Sequence, residues 1–554
     1  MTDRQVQVTE IDIDELAQLV REAALSDEVR EKLLTGIQML HVLSCELDRK
    51  GASISRLRKL AFGTRSERTR NVCGGSRDES PAASSSDTTS DKSASGASSN
   101  QGSNTAPKKK PKRKGHGRTA ADSYRGAERS AVPHASLHAG DACPRCERGK
   151  LYALPPAKLV RIRGQAPIIG QVYELARLRC NSCGEVFKAD PPDGVSEDKY
   201  DITSAVLIAV LKYGFGMPFY RLARMEEALG IPLPHSTQWQ IVAARIAGPE
   251  AAYQELIRQA AQASLLHNDD TYVRLLGPVR WLGDASVLPD ESDRKPGRTG
   301  TFTSGILAIK DGIRIALFFS GHQHAGENLA DVLRRRAAGL DPPLQMCDGL
   351  SRNLPKEFET ILCNCLSHGR RSFVDIQPKF PDECRHVLET LGDVYHYDQL
   401  ARQQSLSPEQ RLAWHQEHSA PLMAELEKWF KAQFEEKKVE PNSTLGDAIQ
   451  YMQKHWHELT QFLHVAGAPL DNNVVERVLK RAILHRNNSM YYRTERGAHV
   501  GDVYMSLIHT CELCAANPVD YLQALMEHAD QVAANADAWM PWNYRQALAM
   551  AAAA

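Results

Sequence analysis

The stretch Ser264-Leu265-Leu266-His267-Asn268-Asp269-Asp270-Thr271 ends a short apolar run in two adjacent carboxylates. Short apolar runs bounded by turn formers read as buried strands. A carboxylate at the end of such a strand is held by the sheet and points out of its edge. Adjacent strand residues face opposite sides, so only one of Asp269 and Asp270 points into a site there. The pattern recurs at Pro343-Leu344-Gln345-Met346-Cys347, which runs into Asp348-Gly349. Between the two lie strand-like runs from Thr301 to Ile309 and from Arg314 to Phe319, joined by the turn Asp311-Gly312. A helix-like segment follows, Glu327 to Arg336, with Leu329, Val332 and Leu333 on one face. After Asp348 the sequence predicts a short helix near Pro355 to Ile361. A fifth apolar run, Ile361 to Leu366, then precedes the basic loop His368-Gly369-Arg370-Arg371.

A further acidic position stands in Pro469-Leu470-Asp471-Asn472-Asn473-Val474-Val475-Glu476-Arg477. Asp471 is placed to cap a helix, and Asn472, Glu476 and Lys480 then share one face at four-residue spacing. A carboxylate among Lys, Arg and Asn suits a hard divalent cation beside a phosphate backbone. The order is thus strand with Asp, two strands, helix, strand with Asp, helix, strand and finally a helix with Glu. It fits a ribonuclease H-like α/β core, in which three carboxylates converge at the sheet edge. Asp269 and Asp348 are 79 residues apart, enough for three strands and a helix. From Asp348 to Glu476 is 128 residues, too long for the bare fold. Residues 377–465, rich in Leu, Glu, Gln, Lys and Ala with Trp414, Trp429, Phe430 and Trp456, predict an all-helical insertion.

With HNDDT at 267–271, CDG at 347–349, CLSHGRR at 365–371 and PLDNNVVER at 469–477, the chain resembles the transposases of the insertion sequence 66 family. These are a branch of the Asp-Asp-Glu transposases. The resemblance spans nearly the whole chain. It departs at Leu350-Ser351-Arg352-Asn353, where aromatic residues are usual, and at Leu366-Ser367, where Trp-Ala is usual. Carried over by position, it implies Asp269, Asp348 and Glu476 as catalytic residues holding Mg2+ or Mn2+ in a two-metal site. Two divalent ions roughly 3.5–4 Å apart stabilise both the entering and the leaving oxygen of phosphodiester cleavage. His368, Arg370, Arg371, Asn472, Arg477 and Lys480 are candidate phosphate contacts; the bland reading is an exposed basic loop and ordinary ion pairs.

Two CxxC pairs, Cys143/Cys146 and Cys180/Cys183, each with a glycine close behind, fit the knuckles of a zinc ribbon over 121–190. Four thiolates make a closed, structural Zn2+ site; a disulfide is the alternative. Val172 to Arg179 alternates as one ribbon strand would. Cys511 and Cys514 form a third CxxC in an apolar helical stretch and read as buried thiols. Lys and Arg total 68, as do Asp and Glu, so net charge does not announce a nucleic-acid partner, but its distribution does. Residues 74–106 read as a disordered linker. A basic segment at 107–120 follows, carrying Lys108, Lys109, Lys110, Lys112, Arg113, Lys114 and Arg118 without an acidic residue among them. Such a block binds nucleic-acid phosphates when it adjoins a folded DNA-binding module. Within 1–73, Leu33, Leu40, Leu47 and Ile54 recur at sevens, a coiled-coil pattern for which an intramolecular helical hairpin is the alternative. Residues 191–262 carry a helix-turn-helix outline, with Gly230 and Pro232 in the turn and Ser236 as the cap of the second helix. A catalytic domain over 263–510 and a C-terminal helical segment, 511–554, complete a multidomain α+β chain.

No apolar run is long enough to span a bilayer, no signal peptide opens the chain, and twelve mostly isolated cysteines point to a reducing cytoplasm. The expectation is a DNA transposase that binds double-stranded element ends and target DNA as a homodimer or higher assembly, with companion proteins of the same element as further partners. A metal-dependent nuclease without strand transfer, or a zinc-ribbon DNA-binding regulator with an inactive core, are the alternatives.

Overall fold

The structure, a computed structural model, describes residues 167–179, 186–188, 190, 192, 198–276 and 300–553, with scattered positions between 18 and 150. The chain divides into two compact units, residues 1–77 with 168–554 and residues 78–167. Every element named here belongs to the first. The basic segment, Cys143, Cys146, Cys180, Cys183, Leu40, Leu47 and Ile54 lie outside the described residues. The linker 74–106 lies outside them as well. Arg177–Arg179 and Val186–Lys188 pair antiparallel. Only the last three residues of the expected ribbon strand are therefore extended in a sheet; Val172, ahead of them, is exposed.

One mixed five-stranded sheet organises the rest: β1 Leu265–Tyr272, β2 Phe302–Lys310, β3 Ile313–Gly321, β4 Leu344–Cys347 and β5 Ile361–Asn364. Their order across the sheet is β3-β2-β1-β4-β5. β1, β2 and β3 are antiparallel neighbours, while β4 and β5 run parallel to β1. Asp311 and Gly312 both take positive φ, 50° and 80°, which closes the β2–β3 hairpin with the twist the strands need.

Ahead of β1 stand α1 Ile202–Ala209, α2 Phe219–Ala228, α3 His235–Ala244 and α4 Ala247–Ala260. The helix-turn-helix outline is present in α2 and α3, but their buried residues belong to the same apolar core as the sheet. Pro234, not Ser236, occupies the cap of α3, because Pro232 and Pro234 keep the chain extended up to His235. α5, Ala325–Leu333, joins β3 to β4 and buries Leu329, Val332 and Leu333 as the spacing predicts. The short helical turn after Asp348 lies at Ser351–Asn353 and not at Pro355 to Ile361. Pro355 takes no part in a helix, and the residue before a proline disfavours one.

α6, Leu366–Ile376, begins two residues after β5, so His368, Arg370 and Arg371 sit half-buried on a helix and not on an exposed loop. Residues 377–465 hold α7 Pro381–Gln403, α8 Pro408–His418, α9 Ala420–Glu435 and α10 Thr444–Lys454, with no strand among them. α7, α9 and α10 form a second apolar core with β4, β5 and α6, in which the Phe430 ring lies 6.0 Å from that of Phe373 of α6 and 6.0 Å from that of Trp456. The insertion meets α6 at Gly369, where an added Cβ would lie 2.5 Å from Met452 Sδ. α11, Asn473–Ser489, and α12, Glu495–Leu513, return to the sheet. Cys511 is buried on α12, whereas Cys514 just beyond it is half-exposed. Among the described residues no helix is long and apolar enough to cross a membrane.

Candidate active site

Asp269 lies on β1, which pairs parallel with β4 through His267 and Met346. Two residues further on, Asp269 is still within β1 while Asp348 follows the end of β4, and the two carboxyls are close enough for their charges to interact. Across the other flank, Asp269 is opposite Gly305 of β2. That glycine is required by packing: an added Cβ would lie 2.9 Å from Leu479 Cδ2 and 3.7 Å from Val475 Cγ2. A strand glycine of this kind marks a close backbone approach. Here it lets α11 lie against the sheet, with Glu476 in its first turn.

Strand alternation decides between the two adjacent aspartates. The odd residues face α11: His267 Nδ1 meets Asn472 Oδ1 at 2.9 Å, and Thr271 Oγ1 accepts from Arg486 at 3.0 Å. Asp269 sits between them. The even residues face away: Asn268 Nδ2 donates to Asn353 O at 2.8 Å, and Asp270 meets His324 Nδ1 at 2.8 Å and Arg352 at 3.4 Å. Asp270 is thus compensated by two basic side chains, while Asp269 faces carboxylates.

The electrostatics follow. Burial pushes the Asp269 carboxyl up to about 7, and the charges of Asp348, Asp270 and Glu476 push the same way; a hydrogen bond from the Asp270 N–H opposes them. Such a cluster is unstable as bare anions and is relieved by a proton or a cation. All its donors are carboxylate oxygens, which suits a hard divalent ion. Among the described residues no three acidic, His or Cys side chains converge into a ready-made cage. The fit is therefore that of an ion held by one or two carboxylates with water and phosphate completing its shell, as Mg2+ prefers.

Asn472 is not a DNA contact: it is buried, and its amide is used on His267 and on Asn268 O at 3.2 Å. It also occupies the cap position of α11, displacing Asp471, whose Oδ1 accepts from Asn473 N at 3.1 Å. Arg477 and Lys480 are exposed, in a stripe with Asn473, Leu484 and Asn487. At 1.5 Å per residue this stripe spans about 21 Å of α11. Sequence reasoning missed Asn353, whose amide donates to Asp348 Oδ1, and Tyr451 of the insertion. Tyr451 Oη and His455 Nε2 would lie 3.1 and 3.2 Å from a Cβ at Gly349. Burial, with the charge of Asp348, pushes the Tyr451 phenol up to about 12. No spacing in the sequence links residues some hundred positions apart, though Gly305 inside a strand was a readable signal.

Residues 201–500 match the family model described as "Transposase IS66 family". The chain belongs to that family. The IS66 match covers β1 to β5, the helical insertion and α11, hence every carboxylate of the site. Similar curated proteins include the uncharacterized proteins y4jD and y4hP of Sinorhizobium fredii. Both are 26% identical to this chain, over 387 and 392 residues; each alignment covers 67% of this chain, and 71% and 68% of the two relatives. No solved structure matches.

Proposed function

We propose that this IS66-family protein cuts and rejoins DNA at a metal-supported site made of Asp269, Asp348 and Glu476, on a ribonuclease H-like core. The observation that carries this reading is Asp269 pushed up to about 7 on the face of β1 that looks at α11. A surplus of negative charge there would repel a phosphodiester unless a cation lay between them. A bound divalent ion supplies charge stabilisation on the attacking and leaving oxygens and acidifies its water. Asp269 and Asp348 are the natural holders, with Glu476 on the third side. The exposed Arg477 and Lys480 beside Glu476 fit a DNA strand laid along α11, where they contact phosphates by charge. Cleavage leaves a 3′ hydroxyl, and its attack on target DNA completes transposition.

Cys143, Cys146, Cys180 and Cys183 are proposed as a structural zinc site, and Lys108, Lys109, Lys110, Lys112, Arg113, Lys114 and Arg118 as a phosphate-binding arm. His368, Arg370 and Arg371 on α6 are proposed to face the same DNA.

The test uses full-length protein and an oligonucleotide carrying the ends of its element. Asp269→Asn, Asp348→Asn and Glu476→Gln each abolish cleavage and strand transfer with magnesium while DNA affinity is kept. Full cleavage by Asp269→Asn, with loss in Asp270→Asn, would overturn the assignment. Cleavage without any joined product would favour a nuclease.

A further inference from the structure

Five polar side chains with almost no solvent contact flank β1 near the sheet edge, Asn268, Gln345 and Asn353 (all 0% exposed) on one face and Asn472 (1%) and His267 (2%) on the other, joined through the Asn268 backbone carbonyl. Apolar side chains of similar size would fill this space without the desolvation penalty that amides carry. The connections are specific. Asn472 Nδ2 donates to Asn268 O at 3.2 Å, and Asn472 Oδ1 takes the Nδ1 proton of His267 at 2.9 Å. Asn268 Nδ2 donates to Asn353 O at 2.8 Å. Gln345 Nε2 donates to Asn268 Oδ1 at 2.9 Å and to Asn353 O at 2.8 Å, while Thr360 Oγ1 holds Gln345 Oε1 at 2.8 Å. Asn353 Nδ2 closes the path by donating to Asp348 Oδ1.

Each end of this path lies next to a carboxylate. Asn268 precedes Asp269 on β1. Asn353 touches Asp348. Asn472 stands at the N-terminal boundary of the helix that carries Glu476 one turn later, its side chain spent on the network and not on a cap bond. The backbone alone does not fix these three, since the β1–β4 pairing ends at His267 and Met346, before either aspartate. The buried His267 ring gives its Nδ1 proton to Asn472 Oδ1, because an amide oxygen accepts only from a donor. Gly326 seals the arrangement from outside: a Cβ there would lie 2.4 Å from Leu354 O and 2.7 Å from Arg352 O, so α5 presses on the turn that holds Asn353.

We infer that this buried amide network, with Asn268 as its hub, sets the relative placement of Asp269, Asp348 and Glu476, and that Asn268, Asn353 and Asn472 are positioning residues of the site. The inference rests on the carboxylate reading proposed above. Residues of this kind act on the metal through its ligands, and their loss typically costs 10–100-fold in metal affinity or activity.

The experiment compares full-length wild type, Asn353→Ala, Asn472→Ala and the double variant on one DNA substrate. Each single variant is expected to lower kcat about 10–100-fold with KM and DNA affinity unchanged, and to weaken Mn2+ binding, followed by electron paramagnetic resonance, by a similar factor. The double variant is expected to fall no further than the worse single one, because the path is already broken. Asn472→Asp keeps the acceptor for His267 but loses the donor to Asn268 O and buries a carboxylate in its place. Its thermal midpoint is therefore expected to fall, and kcat per folded molecule, which a merely structural role would not move, is expected to show the same loss. Retention of kcat within twofold in Asn472→Asp, or two single effects that multiply, would overturn the network. If the network variants are silent while Asp348→Asn is inactive, only this inference fails; if Asp348→Asn is active, the carboxylate reading fails first.

Discussion

Asp269, half-buried, and Asp502, buried, are both pushed up to about 7, and in both desolvation is the largest cause. Their surroundings differ completely. Asp502 on α12 accepts from Ser320 N at 2.6 Å and from Ser320 Oγ at 2.7 Å, and its neighbours lower its pKa. Asp269 has three carboxylates around it, and every one raises its pKa. One carboxyl is satisfied by the fold; the other is left for something the fold does not contain. A raised pKa by itself therefore identifies burial, and the sign of the neighbours separates structure from function.

Asp502 has an evident structural task. β3 is the edge of the sheet, and its outward N–H groups need partners. Phe318 N donates to Ser506 Oγ at 2.9 Å, and Ala316 N donates to Thr510 Oγ1 at 3.1 Å. Residues 502, 506 and 510 advance by one helical step of about 6 Å. Residues 320, 318 and 316 advance by two strand residues, roughly 6.6 Å. The near match lets one helix face cap one strand edge, which closes it to other chains.

The sharpest break between the two sites comes from paired substitutions. Asp269→Asn is expected to reduce cleavage by at least about a thousandfold, the scale of losing a catalytic group, in a DNA cleavage assay. The same substitution stabilises the metal-free protein. A carboxyl held above its unfolded value favours the folded state at low pH, and that stability is lost as pH rises from about 4 to about 7. The variant should thus be more stable than wild type at pH 8, by up to ~4 kcal/mol, and equal to it near pH 4; urea titrations at both pH values measure this. Asp502→Ala should behave in the opposite way. It leaves Ser320 N–H buried without a partner and should cost about 2–4 kcal/mol in urea denaturation, with cleavage per folded molecule unchanged. Equal responses of the two variants would erase the distinction.

Gly305→Ala sharpens the comparison by moving α11 instead of a charge. Its Cβ meets Leu479, an overpacking expected to cost about 1–3 kcal/mol and to lower cleavage about tenfold while leaving DNA affinity intact. The smallest effect is expected at Arg352, 44% exposed at the edge of the Asp270 cluster. Arg352→Ala should change stability by under about 1 kcal/mol, as exposed ion pairs do. A larger loss would mean that Asp270 depends on it.

Much of the sheet-bearing half was legible in advance. β1 to β5 occur in the anticipated order because each is a short apolar run between turn formers, and Asp311-Gly312 signals a hairpin by its own conformational preference. The misreadings are local and have causes. The segment after Asp348 looked helical further on, yet the turn forms at Ser351–Asn353, where Asn353 reaches Asp348. His368, Arg370 and Arg371 looked like a loop because polar residues of a half-buried helix resemble one in sequence. Asn472 looked like a DNA contact because its chemistry suits that task, and burial is invisible in a residue's identity.

By itself the sequence determined which segments become strands and which residues carry carboxylates, because hydrophobic period and turn chemistry are local. Asp269 and Asp270 are chemically alike and adjacent, so no local rule separates them. The resemblance favoured Asp269, and the tertiary structure gives the physical difference by laying α11 on one face of β1, where Gly305 admits Leu479, and His324 and Arg352 on the other. The match of residues 502, 506 and 510 to an edge strand nearly two hundred positions away was likewise decided only in three dimensions. Such pairings depend on which surfaces meet, and no spacing along the chain encodes that.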